Sequence, residues 1–121
     1  MNRTKLAKVA HEKHIYLTTI GRKTGNPHTV ELWFAVATDK IYLSHEGGYT
    51  DWMKNILVDD YVHFKIGTTQ FNGKARLITE REAFTRGKHV LYLKYYGKAS
   101  DHIIDDWFSE STIIEITLSK E

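Results

Sequence analysis

Along the chain, apolar and polar positions alternate in short runs broken by turn-forming residues, and only a few stretches carry helical spacing. Leu6, Val9 and Ala10 recur at helical intervals, predicting a short, weakly amphipathic helix in the first dozen residues. Ile15 to Ile20 (IYLTTI) is β-branched and aromatic and reads as a strand. It stops at Gly21-Arg22-Lys23-Thr24-Gly25-Asn26-Pro27, where two glycines and Asn-Pro mark a turn. Thr29 to Thr38 (TVELWFAVAT) reads as one long strand, and Asp39-Lys40 connects it tightly to a third strand over Lys40 to His45. These three strands are expected to form an antiparallel meander.

Gly47-Gly48 interrupts the pattern, after which Thr50 is placed to cap a helix from Asp51 to Val58, with Trp52, Ile56 and Leu57 facing inward. Tyr61 to Gly67 alternates as a strand does. Gln70 to Ile78 is its partner across Thr68-Thr69, with Gly73 read as a bulge. A helix from about Glu80 to Tyr96 follows, spacing Phe84, Val90, Leu91 and Lys94 in turns and ending at Gly97. Asp101 to Phe108 is a short helix or loop, and Thr112 to Leu118 is a closing strand. Six strands in hairpins with small helices between them predict a mainly β, closed or partly closed antiparallel barrel, an arrangement that removes sheet edges.

Composition narrows what such a barrel can do. The 121 residues are read as a single domain spanning 1–121, with apolar residues enough for one core. With no cysteine the chain offers no disulfide, thiolate metal site or thiol nucleophile. Seventeen Lys and Arg against 15 Asp and Glu leave almost no global field, which argues against a nucleic-acid partner even though Arg3, Lys5, Lys8 and Lys13 could form a basic arm. No apolar run reaches bilayer length and the first residues lack a secretory pattern, so a soluble, cytoplasmic protein is expected.

The sharpest chemical feature is the turn itself. Arg22, Lys23 and, conditionally, His28 sit on a few residues beside Gly21 and Gly25, the composition of an anion cradle or of an ordinary solvated hairpin turn. The turn is not a P-loop, since a β-branched run follows it. A second feature joins Ser44 to Trp52: Gly47 and Gly48 let a ligand approach the backbone, and a helix start offers N–H groups to a negative group. Trp52 suits core packing or the wall of a ring site, and Asn55, if buried, needs hydrogen-bond partners from the backbone or from a ligand. His11 and His14 are three residues apart, not the His-Glu-x-x-His spacing, and no metal site is predicted. No nucleophile elbow and no well-placed carboxylate pair occurs.

Taken together, the Gly-Arg-Lys-Thr-Gly turn after a strand, Gly47-Gly48, and Trp52 with Asn55 three residues on resemble the deazaflavin-dependent nitroreductases. These are also called F420H2-dependent quinone reductases, within the flavin-binding split-barrel superfamily, and the match runs from about Tyr16 to Gly67. The resemblance implies a six-stranded split barrel of the FMN-binding type that binds F420, with FMN as the alternative. Arg22, Lys23, Thr24, Gly25 and His28 would lie at the cofactor phosphate, and Ser44, Gly47, Gly48, Trp52 and Asn55 in a second binding segment. His28 stands where the family usually has Arg, Glu31 where Pro is frequent, and Glu46 where Lys is common, which brings in the shorter FMN. The implied activity is hydride transfer to a planar acceptor, a quinone or nitroaromatic, with Tyr95 and Tyr96 beside Tyr92 on the acceptor side, in a homodimer. A split-barrel protein that only carries or senses a flavin is the alternative from outside catalysis.

Overall fold

The computed structural model describes residues 2–119. Its elements in chain order are α1 (Asn2–Val9), β1 (His14–Ile20), β2 (Pro27–Trp33), β3 (Ala35–Ala37), β4 (Lys40–Glu46), α2 (Asp51–Val58), β5 (Tyr61–Ile66), β6 (Thr69–Leu77), α3 (Arg81–Tyr96), α4 (Asp101–Trp107) and β7 (Ser111–Leu118). The strands form one antiparallel sheet in the order β2-β1-β5-β6-β7-β4-β3. Only Phe34 separates β2 from β3 in the chain, yet these strands are the two ends of the sheet. Two residues of backbone span about 7 Å, so the sheet must curl until its edges meet. The result is a barrel split between β2 and β3.

This corrects two expectations. The predicted strand from Thr29 to Thr38 is two strands, making seven in all among the described residues, and no β1-β2-β3 meander forms because β3 pairs with β4 and not with β2. The break has a tertiary cause. Phe34 is fully buried in the barrel while its own N–H and C=O leave the ladder, and both are taken up by the Tyr95 hydroxyl at the far end of α3 (2.9 and 2.8 Å). Buried backbone groups need such partners, and nothing within TVELWFAVAT signals one.

Alternation along the strands sorts the apolar residues onto two faces. The barrel interior holds Leu17, Phe34, Leu43, Phe64 and Ile116, with Leu6 of α1 and Trp52, Met53 and Ile56 of α2 packed into it. On the outer face, Tyr42 and Ile113 meet Ala83 and Leu91 of α3 and Ile104 of α4. Glu115 is buried there, and its carboxylate accepts hydrogen bonds from the Tyr42 hydroxyl (2.9 Å) and Arg76 Nε (3.1 Å). Leu57, expected to face inward, is 60% exposed; Asn55 is buried with Trp52, Met53 and Ile56. Gly73 is not a bulge, because its register runs unbroken to Val62 on one side and Leu118 on the other. No helix among the described residues is long and apolar enough to cross a membrane.

The end of α3 is held at the barrel seam by Lys94 as well as Tyr95. The Lys94 ammonium donates to the Glu12 carbonyl at 2.6 Å and lies 3.5 Å from the centre of the Phe34 ring. Burial lowers its pKa from 10.5 to about 8, with the Glu12 carboxylate opposing part of that shift. The folded state therefore binds fewer protons than the unfolded state between those values, so Lys94 makes stability rise with pH from about 8 upward. Denaturant unfolding of wild type and Lys94→Met should show the wild type gaining on the variant between pH 8 and 10. A constant difference would exclude the shift.

Candidate functional site

The β1–β2 turn folds back on itself by short-range bonds. Gly21 N–H donates to Asn26 O and Gly25 N–H to Gly21 O, each at 2.8 Å, while Thr24 Oγ1 accepts from Asn26 N–H at 3.2 Å. Gly25 takes φ 75°, the left-handed region that glycine enters without strain. Gly21 has a different reason to be glycine: a Cβ there would sit 2.9 Å from Thr24 Oγ1 and 3.0 Å from the His28 ring. The turn thus lays His28 against its own backbone.

Between this turn and the start of α2 opens a cleft of about 580 Å³, walled by Gly21 to Thr24, by His28, Thr29 and Val30 of β2, and by Thr50, Asp51, Trp52 and Asn55. Asn55 locks the two walls together. Its Oδ1 accepts from the Arg22 backbone N–H (3.1 Å) and from Arg22 Nη1 (2.9 Å), and its Nδ2 donates to Thr19 Oγ1 (3.1 Å). Asn55 and Thr19 are both buried. Arg22 also reaches α2 through an ion pair from Nη2 to Asp51 Oδ1 at 3.2 Å.

Charge in the cleft follows from these contacts. The Arg22 guanidinium is offset by Asp51, whereas Lys23 and His28 are exposed and have no side-chain partner among the described residues. Thr50 occupies the N-cap position of α2 without capping it, and its buried Oγ1 has no hydrogen-bond partner. An unpaired hydroxyl, a helix N-terminus, the Lys23 ammonium and the His28 imidazole share one cleft, a set of groups suited to an anionic group such as a phosphate.

Of the residues expected at a cofactor, the cleft brings together Arg22, Lys23, Thr24, His28, Trp52 and Asn55. Trp52 is 6% exposed and spends most of its surface in the barrel core, and both ends of the Asn55 amide are committed to the protein. Gly25 is at the turn tip outside the lining. Ser44 lies on β4 opposite Ile113, and Gly47 and Gly48 form an exposed bend where Gly47 N–H bonds Glu110 O; none of the three lines this cleft. Glu46, at the end of β4, is also outside it. Thr29, Val30, Thr50 and Asp51 were missed as lining residues. Asp51 could have been suspected, as a charge complementary to Arg22 at a helix start.

Tyr95 and Tyr96 sit apart from the cleft, where β2 ends. The Tyr95 ring stacks on Trp33 (4.2 Å between centroids), its hydroxyl lies 2.8 Å from the Lys13 and Phe34 carbonyls, and burial raises its pKa. Its hydroxyl is therefore occupied by backbone, not presented to a substrate. Tyr96 is 48% exposed in a cluster with Trp33, Tyr92 and Trp107. Among the described residues no three His, Asp or Glu side chains gather as a metal site would require.

The family model for F420H(2)-dependent quinone reductase matches residues 2–100. Among curated proteins, none matches the chain. Solved structures of similar fold include the conserved hypothetical protein Rv2991 from Mycobacterium tuberculosis. It has 24% identity and a TM-score of 0.80, with 99% of this chain and 82% of that one covered. A candidate 5-nitroimidazole antibiotic resistance protein from Bacteroides thetaiotaomicron has 12% identity and a TM-score of 0.78, covering 97% and 80%. An F420 reductase has 14% identity and a TM-score of 0.63, covering 95% and 93%.

Proposed function

The chain belongs to the F420H(2)-dependent quinone reductase family, and from that premise we propose that it binds reduced F420 in the cleft beside Arg22 and Lys23 and passes a hydride to a planar quinone or nitroaromatic. The observation that carries this reading is the cleft itself, with Lys23 and His28 unpaired and the buried Thr50 hydroxyl unbonded. Its volume falls in the usual range of small-molecule sites, roughly 300–1,000 Å³. When bound, the cofactor supplies the hydride, and a quinone that accepts it takes a proton from solvent to become the hydroquinone. The residues of this chain bind and orient. Lys23 and His28 meet the phosphate, Arg22 and Asn55 hold the turn against α2, and Trp52 forms part of the cleft wall.

From Val30 at the cleft, β2 runs about 10 Å to Trp33, toward the aromatic cluster with the exposed ring of Tyr96. This supports an acceptor site at that end, with Tyr96 stacking on the acceptor and Tyr95 holding the strand break. The homodimer implied by the resemblance is tested by light scattering of the purified protein.

Fluorescence titration with F420, and separately with FMN, tests the cofactor. Replacing both Arg22 and Lys23 with alanine should weaken binding by several kcal/mol, since loss of Lys23 removes a charge-assisted contact of about 1.5–3 kcal/mol and loss of Arg22 frees the turn from Asn55 and Asp51. Unaltered affinity would sink the cleft assignment. Tight binding of FMN with none of F420 would favour a flavin protein of the same fold, and a carrier would hold its reduced cofactor unchanged when menadione is added.

A further inference from the structure

His28 is the cleft's conditional charge. The Arg22 guanidinium is bonded to Asn55 Oδ1 and paired with Asp51, so its charge is already offset before any ligand arrives. Lys23 remains. The His28 ring lies against Gly21, where a Cβ would come within 3.0 Å of its Cδ2 and Nε2 atoms, so the absence of a side chain at Gly21 lets the imidazole lie at the cleft wall. The charged and titratable side chains sharing that wall are Arg22 and Lys23 from the turn and Asp51 from α2; the register partner on β1 is Thr19. Next along the strand, Glu31 projects to the opposite face, toward Tyr16 and His14.

Arginine, lysine and aspartate side chains ordinarily keep their charge through the physiological range, and imidazole is the one that changes between pH 5 and 8. We propose that His28 sets the affinity of this cleft for a phosphate group according to pH. Protonation turns the cleft from one net positive charge to two and adds a second charged donor facing the anion. The cofactor phosphate would then be held tightly in mildly acidic conditions and released more readily in alkaline ones. This inference rests on the cleft being the phosphate site of the proposed function.

The test compares dissociation constants of FMN, F420 and riboflavin for wild type, His28→Gln and His28→Arg at about pH 5.5 and about pH 8.5. Taking each variant as a ratio to wild type at the same pH cancels the ionisation of the ligand. His28→Gln should bind FMN and F420 about tenfold more weakly than wild type at the lower pH, the equivalent of one charge-assisted hydrogen bond, and equally at the higher. His28→Arg should bind tightly at both. Riboflavin, which lacks the phosphate, should show a ratio of one throughout. Equal ratios at the two pH values, or the same pH-dependent ratio with riboflavin, would overturn the proposal. Thermal unfolding with inorganic phosphate separates it from the functional reading. A rise in midpoint seen at the lower pH in wild type and absent in His28→Gln supports the His28 role even if no flavin or deazaflavin binds, and its absence in wild type overturns it.

Discussion

Asn55→Ala is expected to destabilise the fold by about 3 kcal/mol and to abolish cofactor binding, although Asn55 need not touch the cofactor at all. One amide accepts two bonds from Arg22 and donates one to Thr19. Truncation leaves the Thr19 hydroxyl buried without its partner and the Arg22 N–H unbonded, and each unmade buried bond costs about 1–3 kcal/mol. The turn then loses its attachment to α2 and the cleft between them its shape. Asn55→Asp is the informative contrast. It keeps an acceptor for both Arg22 bonds, and its other oxygen can accept from the Thr19 hydroxyl, so its loss should stay near 1 kcal/mol. Urea unfolding midpoints read the difference, and equal stability of the alanine variant and wild type would show that the latch holds nothing.

Gly73→Ala should cost a similar amount for a different reason. A Cβ at Gly73 would stand 2.5 Å from the Thr117 carbonyl oxygen and 2.9 Å from Ile116 Cγ2. Thr117 is paired on both sides, to Lys74 and to Lys40, so its backbone cannot move without opening β7 from β6 or from β4. Overpacking against side chains alone typically costs 1–3 kcal/mol; against fixed backbone the upper end applies, roughly 3 kcal/mol, or a fall of about 10 °C or more in Tm for a chain of this size. Gly48→Ala is the control, because nothing lies within 4 Å of its added Cβ. If the two variants melt alike, close strand approach at Gly73 does not limit the barrel.

What could be read from the chain and what could not divide along a physical line. Local signals carried the helix Asp51–Val58, whose bounds the structure reproduces, and the basic turn after Ile20. The split of the long strand at Phe34 was illegible because its cause is Tyr95, 61 residues away. Gly73 was misread for the same kind of reason: glycine in a strand marks either a bulge or a close neighbour, and the neighbour is on β7. At the site, residue types pointed to an anion cradle. Which cations remain free depended on a non-local pairing of Arg22 with Asp51 and Asn55, and the buried Thr50 hydroxyl has no signature in sequence at all.

The most direct measurement of the proposed function is anaerobic mixing of the protein with reduced F420 and menadione, following the return of the visible absorption of oxidised F420. Oxidation that is proportional to protein concentration, and that falls in Lys23→Ala in step with its weakened cofactor binding, is the predicted result. A rate no faster with protein than without it would contradict it.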